Sequence, residues 1–218
     1  PYVPGEQTKD KSVVKLNTNE NPLPPAPGVL KVLKSMDADS IRMYPDPSIG
    51  ILVEELAGFY GVDKEEVFVG IGSDDVLSMA FMTFFNSEKP ILFPDITYTF
   101  YPVWCDLYRI PYETPALDSQ FRIVKEDYYR DNGGIVIANP NAPTSIFEDI
   151  STIEDIVSHN PDSVVIVDEA YVDFAKESAL PLTKKYDNLL IVQTFSKSRA
   201  MAGMRIGFAI GNKKLIKA

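Results

Sequence analysis

Apolar residues recur at helical spacing over residues 28–36 (GVLKVLKSM) and 49–60 (IGILVEELAGFY), and the intervening Tyr44-Pro45-Asp46-Pro47 predicts a loop. A short apolar run at 67–69 leads into Gly70-Ile71-Gly72-Ser73-Asp74-Asp75 and then a long apolar stretch over 76–85. That order predicts a strand, a glycine turn and a helix. Further strands are predicted over 90–93, 135–138, 164–167 and 189–193, with helical patterns at 98–107 and 151–159 between them. The runs Ile135-Val136-Ile137-Ala138 and Val164-Val165-Ile166-Val167 are apolar at every position, as in strands covered on both faces. Strands alternating with helices predict an α/β fold, a mostly parallel sheet sandwiched by helices, with ligands at the carboxyl ends of the strands. Residues 1–27 lack periodicity and carry Pro1, Pro4, Pro22, Pro24, Pro25 and Pro27. They predict an extended arm ahead of one large domain over 28–218, with a last amphipathic helix beginning near Lys213.

Composition narrows the function classes. With 45% hydrophobic and 24% charged residues among 218, the chain can bury a substantial core. Lysine plus arginine number 21 against 31 for aspartate plus glutamate, a net charge of -10 that argues against a nucleic-acid or anionic-membrane partner. The lone Cys105 beside Trp104 excludes an internal disulfide and a CxxC metal site, and a buried thiol in a reducing cytoplasm is expected. No apolar run approaches the roughly 18 residues of a membrane span, and no signal-peptide pattern opens the chain. His159, ahead of Asn160-Pro161, reads as a capping or solvent-facing residue, and no metal constellation is visible.

The chemistry-bearing stretch is Gln193-Thr194-Phe195-Ser196-Lys197, followed by Ala202-Gly203-Met204-Arg205-Ile206-Gly207. A lysine just past a strand end can form an imine with an aldehyde cofactor, and Ser196 and Arg205 are spaced to approach a phosphate. Taken alone, a Ser-Lys pair reads as a solvated surface lysine. Together, T-F-S-K and A-G-M-R-I-G resemble the lysine motif of fold-type I enzymes that use pyridoxal 5'-phosphate. The resemblance implies that Lys197 holds the cofactor as a Schiff base and then moves the substrate proton.

Val167-Asp168-Glu169-Ala170-Tyr171 is similar to the same family's next motif. By that resemblance Asp168 keeps the pyridine nitrogen protonated and Tyr171 hydrogen-bonds the cofactor's 3'-oxygen. Read without it, Asp168 is a helix cap or strand-end acid and Tyr171 a core aromatic. Gly70-Ile71-Gly72-Ser73-Asp74 resembles the phosphate-binding turn, with Ser73 and Asp74 at a helix start, and equally fits an ordinary capped turn. Tyr98 matches the aromatic that packs on the cofactor ring, while Tyr98, Phe100 and Tyr101 also fit as core or interface aromatics. Asn139-Pro140-Asn141-Ala142-Pro143-Thr144-Ser145 departs from the family's N-P-x-N-P-T-G loop, having alanine where an asparagine usually donates to the 3'-oxygen. Asn141 or Asn139 is then the expected substitute, or Tyr171 makes that contact alone.

Leu16-Asn17-Thr18-Asn19-Glu20-Asn21-Pro22 with Tyr44-Pro45-Asp46-Pro47 narrows the resemblance to histidinol-phosphate aminotransferases, over essentially the whole chain. That family implies transamination between L-histidinol phosphate and 2-oxoglutarate in histidine biosynthesis. It implies a homodimer in which Tyr44 reaches the neighbouring subunit's cofactor phosphate, and a substrate pocket bordered by the Asn19–Asn21 segment, with Asn21 as the substrate-binding residue. It also implies a small C-terminal domain beyond residue 218, carrying an arginine for the substrate carboxylate, so the large domain is expected to be cut before it. Threonine-phosphate decarboxylases and aromatic-amino-acid aminotransferases share nearly all these residues, and a non-catalytic aminotransferase-like binding module is the alternative from another class. G-x-x-x-x-G-K-[ST], G-x-S-x-G and H-R-D patterns are absent, which leaves a kinase or hydrolase unsupported.

Overall fold

The computed structural model describes residues 5, 6, 8–10 and 12–218, so the Pro1-Tyr2-Val3-Pro4 part of the expected arm lies outside the described residues. In chain order the elements are α1 (Pro27–Lys34), α2 (Gly50–Tyr60), β1 (Val67–Gly70), α3 (Ser73–Phe84), β2 (Ile91–Leu92), α4 (Phe100–Tyr108) and β3 (Tyr112–Glu113). They continue as β4 (Gly134–Ala138), α5 (Ile150–His159), β5 (Val165–Asp168), β6 (Leu189–Thr194), β7 (Gly207–Gly211) and α6 (Lys213–Ile216). Short 3-10 turns join several of them.

All seven strands form one sheet in the order β1-β7-β6-β5-β4-β2-β3. Neighbours from β6 through β3 run parallel, while β7 is antiparallel to both β6 and β1. The apolar runs become β4, β5 and β6, whose residues are all buried. Two-residue alternation sends their side chains to opposite faces. Ile135, Ile137, Val165, Val167, Leu189 and Ile191 pack in one cluster with Ile153, Ile156 and Val157 of α5 and Leu56 of α2. Val136, Ile166, Leu190 and Val192 pack on the other face with Val76, Leu77 and Phe81 of α3 and Trp104 of α4. Each such side chain contributes about 1.5–3 kcal/mol by leaving water, so the helix–sheet–helix sandwich has two cores and a rigid centre.

Two strands escape the sequence pattern. β7 was expected only as part of the lysine motif, and β3 is a two-residue edge strand. α1 forms where predicted, with Pro27 opening it, yet none of its residues is buried. Leu30, Val32 and Leu33 stay exposed, as do Ile41, Met43 and Tyr44 beyond it. Among the described residues, no helix is long and apolar enough to cross a membrane. Cys105 is buried, and burial pushes its thiol up to about 12, so it is inert at neutral pH.

Candidate active site

The register aligns the carboxyl ends of β4 and β5 by pairing Ala138 with Asp168, and β6 carries the chain on to Thr194 beside them. A parallel sheet leaves an open crevice at this edge because each strand exits there into a loop. The cleft here has a volume of about 490 Å³. Ser73, Asp74, Tyr98, Asp168, Tyr171, Ser196, Lys197 and Arg205 all line it, so eight of the sequence-derived site residues converge although they come from five stretches of chain. A more open hollow of about 650 Å³ lies against α2, lined by Leu52, Leu56, Phe59 and Phe195 among others, but Lys197 and Asp168 belong to the smaller cleft.

Lys197 sits in the turn after β6. Its Nζ donates to the carbonyl oxygen of Thr18 at 3.1 Å and lies 5.6 Å from the centre of the Tyr171 ring. Ser196 is held by Thr194, whose Oγ1 accepts from the Ser196 amide at 3.1 Å and donates to its hydroxyl at 3.0 Å. Arg199 fixes the far side of this turn. Its guanidinium stacks 4.7 Å from the Phe195 ring, donates to the Tyr60 hydroxyl at 2.8 Å and pairs with Asp173 at 3.3 Å.

Asp168 ends β5, buried, at the floor of the cleft. Its Oδ2 accepts from the Tyr101 hydroxyl at 2.8 Å and its Oδ1 from the Ala170 amide at 3.1 Å. Burial outweighs these donors and pushes the carboxyl up to about 6. Behind it Glu169, holding Ser178, Ala179 and Gln193, is pushed up to about 7 for the same reason. A buried carboxylate with a raised pKa gains from a cationic partner, which is what a protonated ring nitrogen supplies.

The other end of the cleft is built for an anion. α3 begins at Ser73, so the Ser73 and Asp74 amides have no i-4 acceptor within the helix and the helix dipole adds partial positive charge. Gly72 has φ 87°, and a Cβ there would stand 2.4 Å from Nη2 of Arg205, so only glycine lets the guanidinium lie on the turn. Gly207 does the same for the sheet, since its Cβ would meet the Ser73 amide nitrogen at 2.2 Å. Asp74 turns its carboxylate to two donors, the Tyr98 hydroxyl at 2.9 Å and, more loosely, Arg205 at 3.9 Å. Amides, a serine hydroxyl and a guanidinium around one glycine turn fit a phosphate. With the Lys197 amine and the buried Asp168, the residues present fit pyridoxal phosphate.

Asn141 and Asn21 are placed off this cleft, and Tyr44, expected at a neighbouring subunit's site, is not among its lining residues. Asn141 does not line the cleft: its amide nitrogen donates to the Ile96 carbonyl (2.9 Å) and Thr144 Oγ1 (3.0 Å), and its oxygen accepts from Thr97 (2.8 Å). These bonds hold the proline-rich loop in shape. Asn21 lies beneath the lysine turn, donating to the carbonyls of Lys197 (3.1 Å) and Ser198 (3.0 Å), and Asn19 takes the cleft-lining place. Tyr44 is fully exposed and far from contributing to its own chain's cleft. Sequence reasoning passed over Tyr101 as a core aromatic, and also Thr18 and Thr194. Each acts through a contact distant in sequence, and none stands in a spacing that marks it.

A family model for aminotransferase class I and II matches residues 11–218, and the chain belongs to that family. Histidinol-phosphate aminotransferase 1 of Hydrogenovibrio crunogenus is 57% identical over 216 residues, 99% of this chain and 61% of that protein. Histidinol-phosphate aminotransferase of Clostridium botulinum is 52% identical over 217 residues, 100% of this chain and 61% of that protein. The chain thus spans about 61% of the length of the curated relatives it matches. The crystal structure of histidinol-phosphate aminotransferase from Sinorhizobium meliloti in complex with pyridoxal-5'-phosphate matches with a TM-score of 0.83 at 21% identity, covering 92% of this chain and 56% of that one. At that identity the likeness establishes the shared fold, the large domain of fold-type I enzymes.

Proposed function

We propose that this chain is the cofactor-binding part of a pyridoxal-phosphate-dependent aminotransferase acting on L-histidinol phosphate with 2-oxoglutarate as amino acceptor. The observation that carries it is the meeting of Lys197, Asp168 and Tyr171 with the Ser73–Arg205 anion site in one cleft. The identity to histidinol-phosphate aminotransferases supports this choice of substrate.

The α3 amides, the Ser73 and Ser196 hydroxyls and Arg205 would hold the cofactor's phosphate, Tyr98 would pack its ring, and Asp168 would hold its nitrogen. When bound, the cofactor supplies an electron-withdrawing ring that takes up the electron pair left as the substrate's α-C–H bond breaks. Lys197 Nζ takes that proton and later delivers it, a task for an amine on one face of the site. Asp168 keeps a negative charge where the ring's positive charge must persist, and the Thr18 carbonyl orients the lysine amine.

Exposed apolar residues of α1 and the following segment, with Tyr44, point to a covering second copy of this chain, a homodimer in which Tyr44 serves the neighbour's phosphate site. Histidine biosynthesis in the cytoplasm is the matching physiological setting. The test is absorption spectroscopy with added pyridoxal phosphate, before and after borohydride reduction, followed by a transamination assay. Wild type is expected to show a visible band that reduction fixes covalently, and Lys197→Ala neither. Turnover in the variant should fall by about 10²–10⁴-fold or more. Because the arginine expected for the substrate carboxylate lies beyond residue 218, the transamination assay is run on the full-length protein; cofactor bound there without turnover of histidinol phosphate would favour another substrate of the same fold, and no lysine-dependent band would leave the binding-module reading.

A further inference from the structure

Ala142 lines the cleft with a methyl group, so the loop that carries it offers no side-chain donor from that position. Three asparagines stand close enough to be weighed in its place. Asn139 is buried and locked to Glu148, donating to its carbonyl at 3.0 Å and accepting from its amide at 2.9 Å. Asn141 directs its amide nitrogen to Ile96 and Thr144, away from the cleft. Asn19 differs from both. It lines the cleft, and its Nδ2 donates to the Tyr171 hydroxyl at 2.8 Å. A primary amide has two N–H groups. Among the described residues the second has no protein acceptor.

The backbone is shaped for this contact. Asn19 has φ 52°, the left-handed region that asparagine enters more readily than most residues. Thr18 before it accepts from Lys197, and Asn21 after it grips the Lys197 turn. The amide is therefore anchored on both sides while it faces the same space as the Tyr171 hydroxyl. A second hollow, of about 340 Å³, shares Asn19, Ala142 and Tyr171 with the cleft, so these three form one wall.

We propose that Asn19, on the N-terminal arm, is the amide donor to the 3'-oxygen of the pyridoxal phosphate ring, acting beside Tyr171 in the place that Ala142 leaves without one. The proposal rests on reading this cleft as a pyridoxal phosphate site. An N–H aimed at that oxygen favours its anionic form, so losing the donor makes the bound cofactor's visible absorption convert at higher pH. One neutral hydrogen bond corresponds to about half to one pH unit.

The experiment is a pH titration of the visible band in the holoprotein, with cofactor dissociation measured alongside. Asn19→Gly is the variant of choice because glycine keeps the positive φ and removes only the amide. Its midpoint is expected to rise by about half to one unit and its cofactor binding to weaken about 3- to 10-fold. Adding Ala142→Asn, which restores an amide from the opposite loop, should bring both back most of the way. An unchanged midpoint in Asn19→Gly overturns the proposal, and so does a shift that Ala142→Asn leaves in place, since the arm and not the amide would then be the cause. A wild type that takes up no cofactor at all removes the underlying reading, and this inference with it.

Discussion

The amino group of Lys197 donates to the carbonyl oxygen of Thr18 at 3.1 Å, across 179 positions of the chain. An arm with exposed side chains is thus tied to the cleft lysine by its backbone. Asn19 to Tyr171 and Asn21 to the Lys197 and Ser198 carbonyls add further hydrogen bonds between arm and core among the described residues.

Polar attachment with little apolar burial opens easily, because each net hydrogen bond contributes only about 0.5–1.5 kcal/mol. Asn21→Ala removes the clamp beneath the lysine turn while leaving the cleft-lining side chains in place. Limited proteolysis within residues 12–26 should then run about 5- to 10-fold faster than in wild type, with the core domain left uncut. Equal rates would show that Asn21 contributes nothing to docking the arm.

Gly207→Ala tests the contact between sheet and anion site. Its Cβ would fall 2.2 Å from the Ser73 nitrogen and 2.3 Å from the Gly72 carbonyl carbon, both backbone atoms that cannot swing aside. The β7 start or the glycine turn must shift, and overpacking of this kind costs about 1–3 kcal/mol. A lower urea midpoint is expected together with weaker binding of pyridoxal phosphate. Gly203→Ala, where a Cβ meets nothing within 4 Å, is the matched control.

The buried acids predict a pH dependence for the ligand-free protein. Burial holds Asp168 up to about 6 and Glu169 up to about 7, so the folded chain keeps protons that the unfolded chain has released. Unfolding then gives up protons, and stability falls as pH rises from about 4 through about 7. Surface acids such as Asp155 and Glu154, held low by Lys125 and Lys185, act in the opposite sense, and their effect is complete by about pH 5. Urea midpoints between pH 5 and 8 should therefore decline in wild type and decline less in Asp168→Asn. Parallel slopes would mean that Asp168 ionises as freely in the fold as in water.

Much of this architecture was legible in advance. The every-position apolar runs at 135–138 and 164–167 reported strands buried on two faces, 189–193 reported a further strand, and the Gly70–Asp75 segment reported a turn at a helix start. Lys197, Asp168, Tyr171 and Arg205 were readable through the resemblance of their stretches to known motifs, and the fold brings all four to one cleft. β7 was not, since a five-residue run bounded by Gly207 and Gly211 carries no sign that it will insert antiparallel between β1 and β6. The asparagines divided in the same way. Asn19, Asn21, Asn139 and Asn141 are alike as letters, and only the fold gives one of them to the Tyr171 hydroxyl and the others to backbone or loop.

By itself the sequence determined the sandwich, the glycine turn and the position of the lysine, because backbone geometry sets the side-chain period and a local apolar pattern reports which face of each element is buried. The tertiary structure decided the strand order, the donor to Asp168 from Tyr101 and the closure of the arm over Lys197. Those depend on distances between residues far apart in the chain, where a hydrogen bond forms or fails within a few tenths of an ångström.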